Sequence, residues 1–369
     1  MKIINIVDSI QKGNAGIIKA AVSPAEILLR KNNIQSEIWF PECPDRYGEV
    51  NFGAAIPLSL KRQKVNQIEN LIESQHLDTT NTIIVTHGSW QYPTRWGQYF
   101  RKLGYKWVYV PHGMLEPWSV SQKRLQKFIY FSLIEYRYLL EADVVRATSS
   151  PERKNLVKNF PNVALIPNGI DIVNSVNDRR ELLRSSHSKI VLFLARLHHK
   201  KGVMPLVRAW KKSLLYANKN FELVIVGYDD GELPKLQNFL NSCGEDCNIN
   251  FLGPVYGANK IDLLKKCTYY ILPSHSEGFP MSVLDAMQFG LISVISDGCN
   301  FPEAFEEKVA IRISPQENDI LNVLNQLPGI DEEELKYLSS RSYQFVNQHY
   351  SLERIANMQT ELYKTLLSK

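Results

Sequence analysis

A chain of 369 residues, 44% hydrophobic and 22% charged, has the make-up of a globular protein with two ordinary domains. No apolar run approaches the roughly 20 residues of a bilayer-spanning helix, and Met1-Lys2-Ile3-Ile4-Asn5-Ile6-Val7-Asp8 reads as a first buried strand, not a signal peptide. The formal charge of +5 is uneven, with 21 Lys and Arg against 14 Asp and Glu in residues 1–170 and 22 against 24 in residues 171–369. The basic first half suits an acidic partner, either a phosphate-bearing acceptor or an anionic membrane surface; a mildly basic face with no partner is the alternative. Five scattered cysteines (Cys43, Cys243, Cys247, Cys267, Cys299) suit a reducing cytoplasm, and the Cys243–Cys247 pair has no second pair to complete a zinc site.

In chain order, residues 3–7 read as a strand, Lys12-Gly13-Asn14-Ala15-Gly16 as a loop and residues 17–30 as one helix. A strand at 35–40 follows, then a helix at 61–73 striped by Val65, Ile68 and Ile72. Strands at 82–86 and 107–110 run into His87-Gly88 and Pro111-His112-Gly113. A long helix at 125–140 and strands at 143–148 and 163–166 close the first series. Such alternation argues for an α/β fold, a parallel sheet with helices on both faces. Ligands then bind beyond the carboxyl ends of the strands, where Gly13, Gly16, His87 and His112 fall. Pro167-Asn168-Gly169-Ile170-Asp171 is a turn-rich joint. It divides the chain into domains at 1–168 and 169–350, with a terminal helix at 351–369. The second series has strands at 190–195, 221–226, 249–252, 269–272, 293–295 and 309–313, and helices at 203–216 and 233–241. From 317 onward the chain is mostly helical, with a break at Tyr350-Ser351. Two doubly wound, Rossmann-like domains facing across a cleft are the economical reading.

The stretch LPSHSEGFPMSVLDAMQFGLISVISD, residues 272–297, carries the most chemistry. It reads as a strand end, a Pro-, Ser- and Gly-rich loop, a helix entered through Pro280 and stopped near Gly290, and a second strand. A loop of this kind aims free backbone N–H groups outward, and the helix N-terminus adds partial positive charge, so a phosphate is the natural ligand. Two flanking carboxylates, Glu277 in the loop and Asp285 in the second helical turn, are not needed for burial and suit sugar hydroxyls; a helix cap with a solvated Asp285 is the bland alternative.

The E-G-F-P-M-S-V-L-D string resembles the acidic-x7-acidic signature of retaining family 4 glycosyltransferases of the GT-B fold. The resemblance implies that Glu277 contacts the donor sugar and that Asp285, a Glu in most of the family, contacts the ribose. Gly278, Phe279, Pro280, Met281, Ser282 and Val283 would then line the donor site. It spans nearly the whole chain and implies that the last helix, about residues 352–367, crosses back onto the first domain, which periodicity alone does not show.

Arg196 and Lys201 directly follow a strand and are placed to neutralise a diphosphate, the guanidinium as a fork and the ammonium as a point charge. In the resembled family such an R-x4-K pair holds the diphosphate as leaving group; a solvated basic loop is the alternative. Gly13 and Gly16 are what remains here of the family's glycine-rich donor loop, without its double glycine, and a plain strand-to-helix turn explains them almost as well. His112, in His112-Gly113-Met114-Leu115-Glu116-Pro117-Trp118, resembles the histidine that contacts the donor sugar in bacterial surface-polysaccharide enzymes. His87-Gly88-Ser89-Trp90 has the same shape, with an acceptor-side role for His87 and Trp90. The backbone at Gly253-Pro254-Val255-Tyr256 would pair with the nucleotide base, by resemblance. Asp229-Asp230-Gly231 reads as a turn, not a metal-binding D-x-D. Basic residues beside aromatics at Trp118 and residues 123–131, and at Lys61, Arg62 and Lys64, suit either a membrane interface or an ordinary amphipathic helix.

The expectation is therefore a metal-independent, retaining hexosyltransferase with no cofactor beyond its nucleotide-sugar substrate (a UDP- or GDP-sugar). Its acceptor would be a glycan or polyprenyl-diphosphate-linked saccharide in surface-polysaccharide assembly. No nucleic-acid partner is expected, and the place of work is cytoplasmic, peripheral on the inner face of the plasma membrane. Another GT-B enzyme, an epimerase or phosphorylase, and a two-lobed non-catalytic binding protein are the rivals.

Overall fold

In the computed structural model the described residues are 1–10, 15–41, 51–60, 68–89, 92–116, 135–172, 189–244 and 247–369. Gly13, Trp90, Cys43, the basic stretches near 61–64 and 118–131, and most of the helix expected at 125–140 lie outside them.

The chain forms two units, Met1–Asp171 with Tyr350–Lys369, and Ile172–His349. The first holds seven parallel strands: β1 (Lys2–Ile6), β2 (Gln35–Pro41), β3 (Ile56–Leu60), β4 (Thr82–His87), β5 (Lys106–Val110), β6 (Val144–Ala147) and β7 (Val163–Leu165). Their order in the sheet is β3-β2-β1-β4-β5-β6-β7. Side chains alternate along each strand, and both faces of the sheet are buried. Ile3, Ile83, Val85, Val108 and Val110 enter one core cluster, and Ile4, Ile84, Trp107 and Tyr109 enter another. β3 is not buried on both faces, because it is an edge strand holding Pro57 with mostly exposed side chains, so pattern reading does not find it.

The single helix expected at 17–30 is two helices, Ala15–Val22 and Ala25–Asn32. Pro24 separates them: it has no N–H for the carbonyl four residues back, and its ring crowds that carbonyl. The last helix, Leu352–Leu367, lies in the first unit. It packs on Ala25–Asn32 and places Ala356, Tyr363 and Leu366 in the core cluster with Ile3 and Val85. Two backbone hydrogen bonds pin its entry: Ile170 N–H donates to the Tyr350 carbonyl (2.9 Å) and Leu352 N–H to the Ile170 carbonyl (2.9 Å). Arg146, 2% exposed, steadies the joint by donating to the carbonyls of Ile166 (2.9 Å) and Pro167 (2.8 Å).

The second unit has six parallel strands: β8 (Lys189–Leu194), β9 (Phe221–Val226), β10 (Ile249–Phe251), β11 (Tyr269–Leu272), β12 (Ile292–Ser296) and β13 (Ala310–Ile313). Their order is β10-β9-β8-β11-β12-β13. In both sheets the winding reverses once, between β1 and β4 and between β8 and β11. A crevice opens at the carboxyl ends of strands where such a reversal occurs. Among the described residues no helix is long and apolar enough to cross a membrane.

Candidate active site

The reversal in the second unit brings together the loops that follow β8 and β11. After β8 a one-turn helix, His199–Lys201, is capped by the His198 ring, which accepts from Lys200 N–H. Gly202 ends that turn at φ 75°; a Cβ there would stand 2.3 Å from the Pro273 carbonyl oxygen, so only glycine lets the two loops touch. The Lys200 carbonyl accepts from His275 N–H (2.7 Å), and the Ser274 hydroxyl oxygen lies 3.1 Å from it. So joined, the loops place the Lys201 ammonium 2.5 Å from each Glu277 carboxylate oxygen. The Ser274 hydroxyl donates to the same carboxylate at 2.6 Å. Glu277 is held through its backbone as well, its N–H donating to Gly298 C=O (2.7 Å) and its C=O accepting from the Asn300 amide (2.6 Å). Burial pushes the Glu277 carboxyl up, but the Lys201 ammonium and the hydrogen bonds from Lys201 and Ser274 outweigh it, leaving the group below the usual carboxylate value.

Both flanking carboxylates are buried and paired, Glu277 being 9% exposed and Asp285 6%, so the alternative of a solvated Asp285 does not hold. Asp285, in the second turn of the helix Met281–Gln288, takes the Lys260 ammonium at 2.6 Å. Arg196 meets Asp230 at 2.6 Å, so Asp230 is more than a turn residue. Asp229 does form the turn, its side chain accepting from the N–H groups of Gly231 and Leu233. Lys200 adds a third cation, with its pKa lowered by burial and by Lys201. The expected row of free N–H groups is partly occupied, since Met281 N–H donates to Phe279 C=O and Val283 N–H to Pro280 C=O. Val283 packs wholly in the core, Pro280 is buried, and Gly278, Phe279, Met281, Ser282 and Val255 are half-buried. Gly253 sits at φ 70° just after β10, its carbonyl accepting from Gly227 N–H. Among the described residues no group of three or more His, Cys, Asp and Glu could hold a metal ion.

In the first unit the reversal joins β1 and β4. His87, the last residue of β4, is 1% exposed. Its Nε2 lies 3.0 Å from Asn5 Oδ1 on β1, and its Nδ1 lies 2.9 Å from His112 Nε2. So buried, His87 meets the neighbouring histidine rather than solvent, which leaves little surface for an acceptor-side contact. His112 adopts φ 52°, rare for a non-glycine residue. The following Gly113 N–H donates to Glu152 (2.6 Å), a buried carboxylate that also accepts from Thr148 N–H (2.6 Å) and the Thr148 hydroxyl (2.8 Å). Burial holds the His112 pKa down to about 3, with the Arg146 guanidinium adding to it. Gly16 is exposed, in the first turn of the helix Ala15–Val22. The roles of Asn5, Glu152, Asp230 and Lys260 escape sequence reading, because each meets a partner at least 25 residues away in the chain, and the one that sits in a recognisable string, Asp230, reads there only as part of a turn.

Two family models match the chain: "Glycosyltransferase Family 4" over residues 29–174 and "Glycosyl transferases group 1" over residues 174–343. A Campylobacter jejuni protein named N,N'-diacetylbacillosaminyl-diphospho-undecaprenol alpha-1,3-N-acetylgalactosaminyltransferase is 28% identical over 222 residues, covering 54% of this chain and 57% of its own. The O-antigen biosynthesis glycosyltransferase WbnH of Escherichia coli is 29% identical over 204 residues, 53% of each chain. These alignments span a little over half the length of the curated relatives. Among solved structures, Anabaena HepE in complex with UDP and glucose superposes with a TM-score of 0.74 at 17% identity, covering 99% of this chain and 100% of that one. The two matched segments meet at residue 174, close to the division between the two parallel-sheet units, and the chain belongs to the family 4 glycosyltransferases of the GT-B fold.

Proposed function

We propose that the protein is a retaining hexosyltransferase. It moves a hexose from a nucleotide-diphosphate sugar to a lipid-linked or other glycan acceptor in surface-polysaccharide assembly. One observation carries the reading: Arg196, Lys200, Lys201 and Glu277 converge where the second sheet reverses its winding. Three cations there match a diphosphate, and the carboxylate among them matches sugar hydroxyls. UDP in the HepE complexes supports a uridine donor, with a GDP-sugar the other choice. The Campylobacter and Escherichia relatives support a polyprenyl-linked or O-antigen-type acceptor. The uneven charge supports work at an anionic membrane surface on the cytoplasmic side.

In this mechanism the bond from the sugar C1 to the β-phosphate oxygen breaks while the acceptor oxygen bonds to C1 on the same face. The acceptor proton passes to the departing phosphate. Arg196, half-exposed in its pair with Asp230, is free to exchange that partner for the diphosphate. Lys201, fixed by Glu277, supplies standing positive charge without reorganisation. Asp285 takes the ribose hydroxyls while Lys260 holds its other side. The cations do the work of a divalent metal, so transfer survives a strong chelator.

The test is nucleotide release on mixing a nucleotide sugar with an acceptor saccharide, followed in the wild type and in Arg196→Ala. Loss of one charge at the leaving group lowers kcat by about 100-fold. Wild-type turnover in the variant would remove the diphosphate assignment.

A further inference from the structure

We infer that Asn5 and His87 lock the His112 ring in one neutral tautomer, with the proton on Nε2 and a bare lone pair on Nδ1. That the ring meets a sugar-bearing ligand rests on the proposed transferase reading, but the protonation pattern follows from this chain alone.

It starts at Asn5. The Asn5 Nδ2 lies 3.0 Å from the Ser36 hydroxyl and 3.1 Å from the Glu37 carbonyl oxygen. A carbonyl oxygen only accepts, so the atom facing it is the NH2 group, and Oδ1 is the atom that faces His87. Oδ1 also only accepts, so His87 Nε2 carries a proton. Only one proton fits between His87 Nδ1 and His112 Nε2, 2.9 Å apart. A second proton on His87 would create an imidazolium that is 1% exposed, in the field of the buried Arg146 guanidinium, with only an amide oxygen and another imidazole on its ring nitrogens. His87 is therefore neutral, its Nδ1 accepts, and His112 Nε2–H donates. Burial beside the same guanidinium keeps His112 neutral too, so its Nδ1 has no proton.

The position of the ring is fixed separately. The left-handed backbone of His112 and the Gly113–Glu152 hydrogen bond set where it stands. Asn5 and His87, as positioning residues, set what it offers. A bare Nδ1 accepts a hydrogen bond from a hydroxyl and cannot donate one to a phosphate oxygen. The ring thus favours a ligand hydroxyl over a phosphate oxygen.

The experiment is long-range 15N–1H NMR of the histidine rings in the ligand-free full chain at neutral pH. Both His87 and His112 are expected neutral, protonated at Nε2 and bare at Nδ1. His87→Phe keeps the ring shape and removes the acceptor, and Asn5→Leu keeps both imidazoles but frees His87. Each should give mixed tautomers at His112 and lower kcat/KM by about three- to tenfold, with an unchanged circular dichroism spectrum. A wild-type His112 carrying its proton on Nδ1, or an imidazolium at either position, overturns the inference even if a variant fails to fold. A His112 signal unmoved in both folded variants overturns it too. If the tautomers are as inferred but the wild type transfers no sugar, the lock stands and the enzymatic reading falls.

Discussion

Lys201 and Glu277 are 76 residues apart and share one buried ion pair. Two charges taken out of water stabilise little as a pair, but removing one strands the other at a cost of about 3–5 kcal/mol. Glu277→Gln should lose about 3 kcal/mol of stability at neutral pH. The pH dependence has a definite sign. A carboxyl held below its usual value contributes stability above its unfolded pKa, about 4.3, and loses it as pH falls through the lower folded value. Urea midpoints for wild type and variant should therefore converge as pH drops from 7 towards 3. A gap of constant size across that range would contradict the pairing. Arg196 and Lys201 were legible because charges just past a buried strand stand out against the apolar run, and Glu277 and Asp285 because they stand in one loop-and-helix string, E-G-F-P-M-S-V-L-D. Their partners were not: Asp230 looked like ordinary turn chemistry, and Lys260 sits on a helix, Gly257–Lys266, that no strong apolar stripe announces. Asn5 is a polar residue within a strand, and nothing local says that it answers a histidine 82 residues on.

Strands were the most legible elements. A strand buried on both faces is a short unbroken apolar run, and residues 223–226 and Tyr269–Leu272 have that form. Helix ends were less so, as Pro24 and the early stop at Lys212 show; Ser213 there turns to extended backbone. The close approach of two loops is invisible to pattern reading, since it depends on what lies opposite a glycine. Gly202 and Gly257 separate the two effects. Both have positive φ, but a Cβ at Gly257 meets nothing within 4 Å, whereas at Gly202 it meets Pro273 O at 2.3 Å. Gly257→Ala should cost only the left-handed backbone, about 1–2 kcal/mol. Gly202→Ala should cost clearly more and weaken donor binding, because the loop carrying Lys201 must move off the loop carrying Glu277. Thermal unfolding of the two variants side by side measures the difference, and equal losses would mean that the loop contact is not tight.

At the scale of the whole molecule, the alternation of strand and helix was enough to give two parallel-sheet units, but not the route by which the chain ends. The stripe on the last helix says that one face is buried and does not say against what. That face meets the first sheet: Ile355, Tyr363 and Leu366 are at most 6% exposed, the last two beside Ile83, Val85, Val108 and Val110. Each large apolar side chain so buried is worth about 1.5–3 kcal/mol, so three of them approach the roughly 5–15 kcal/mol that holds a domain folded. The first unit is thus made of two distant pieces, and the second, Ile172–His349, is continuous. Ending the chain after His349 should leave β8 to β13 protected from hydrogen exchange while β1, β4 and β5 exchange freely. A peptide of residues 350–369 added in trans should restore protection to β1, β4 and β5, since Ile170 and the exposed core would again have their partners. Full protection of β4 in the shortened chain, without the peptide, would show that the first sheet holds its fold without the returning helix.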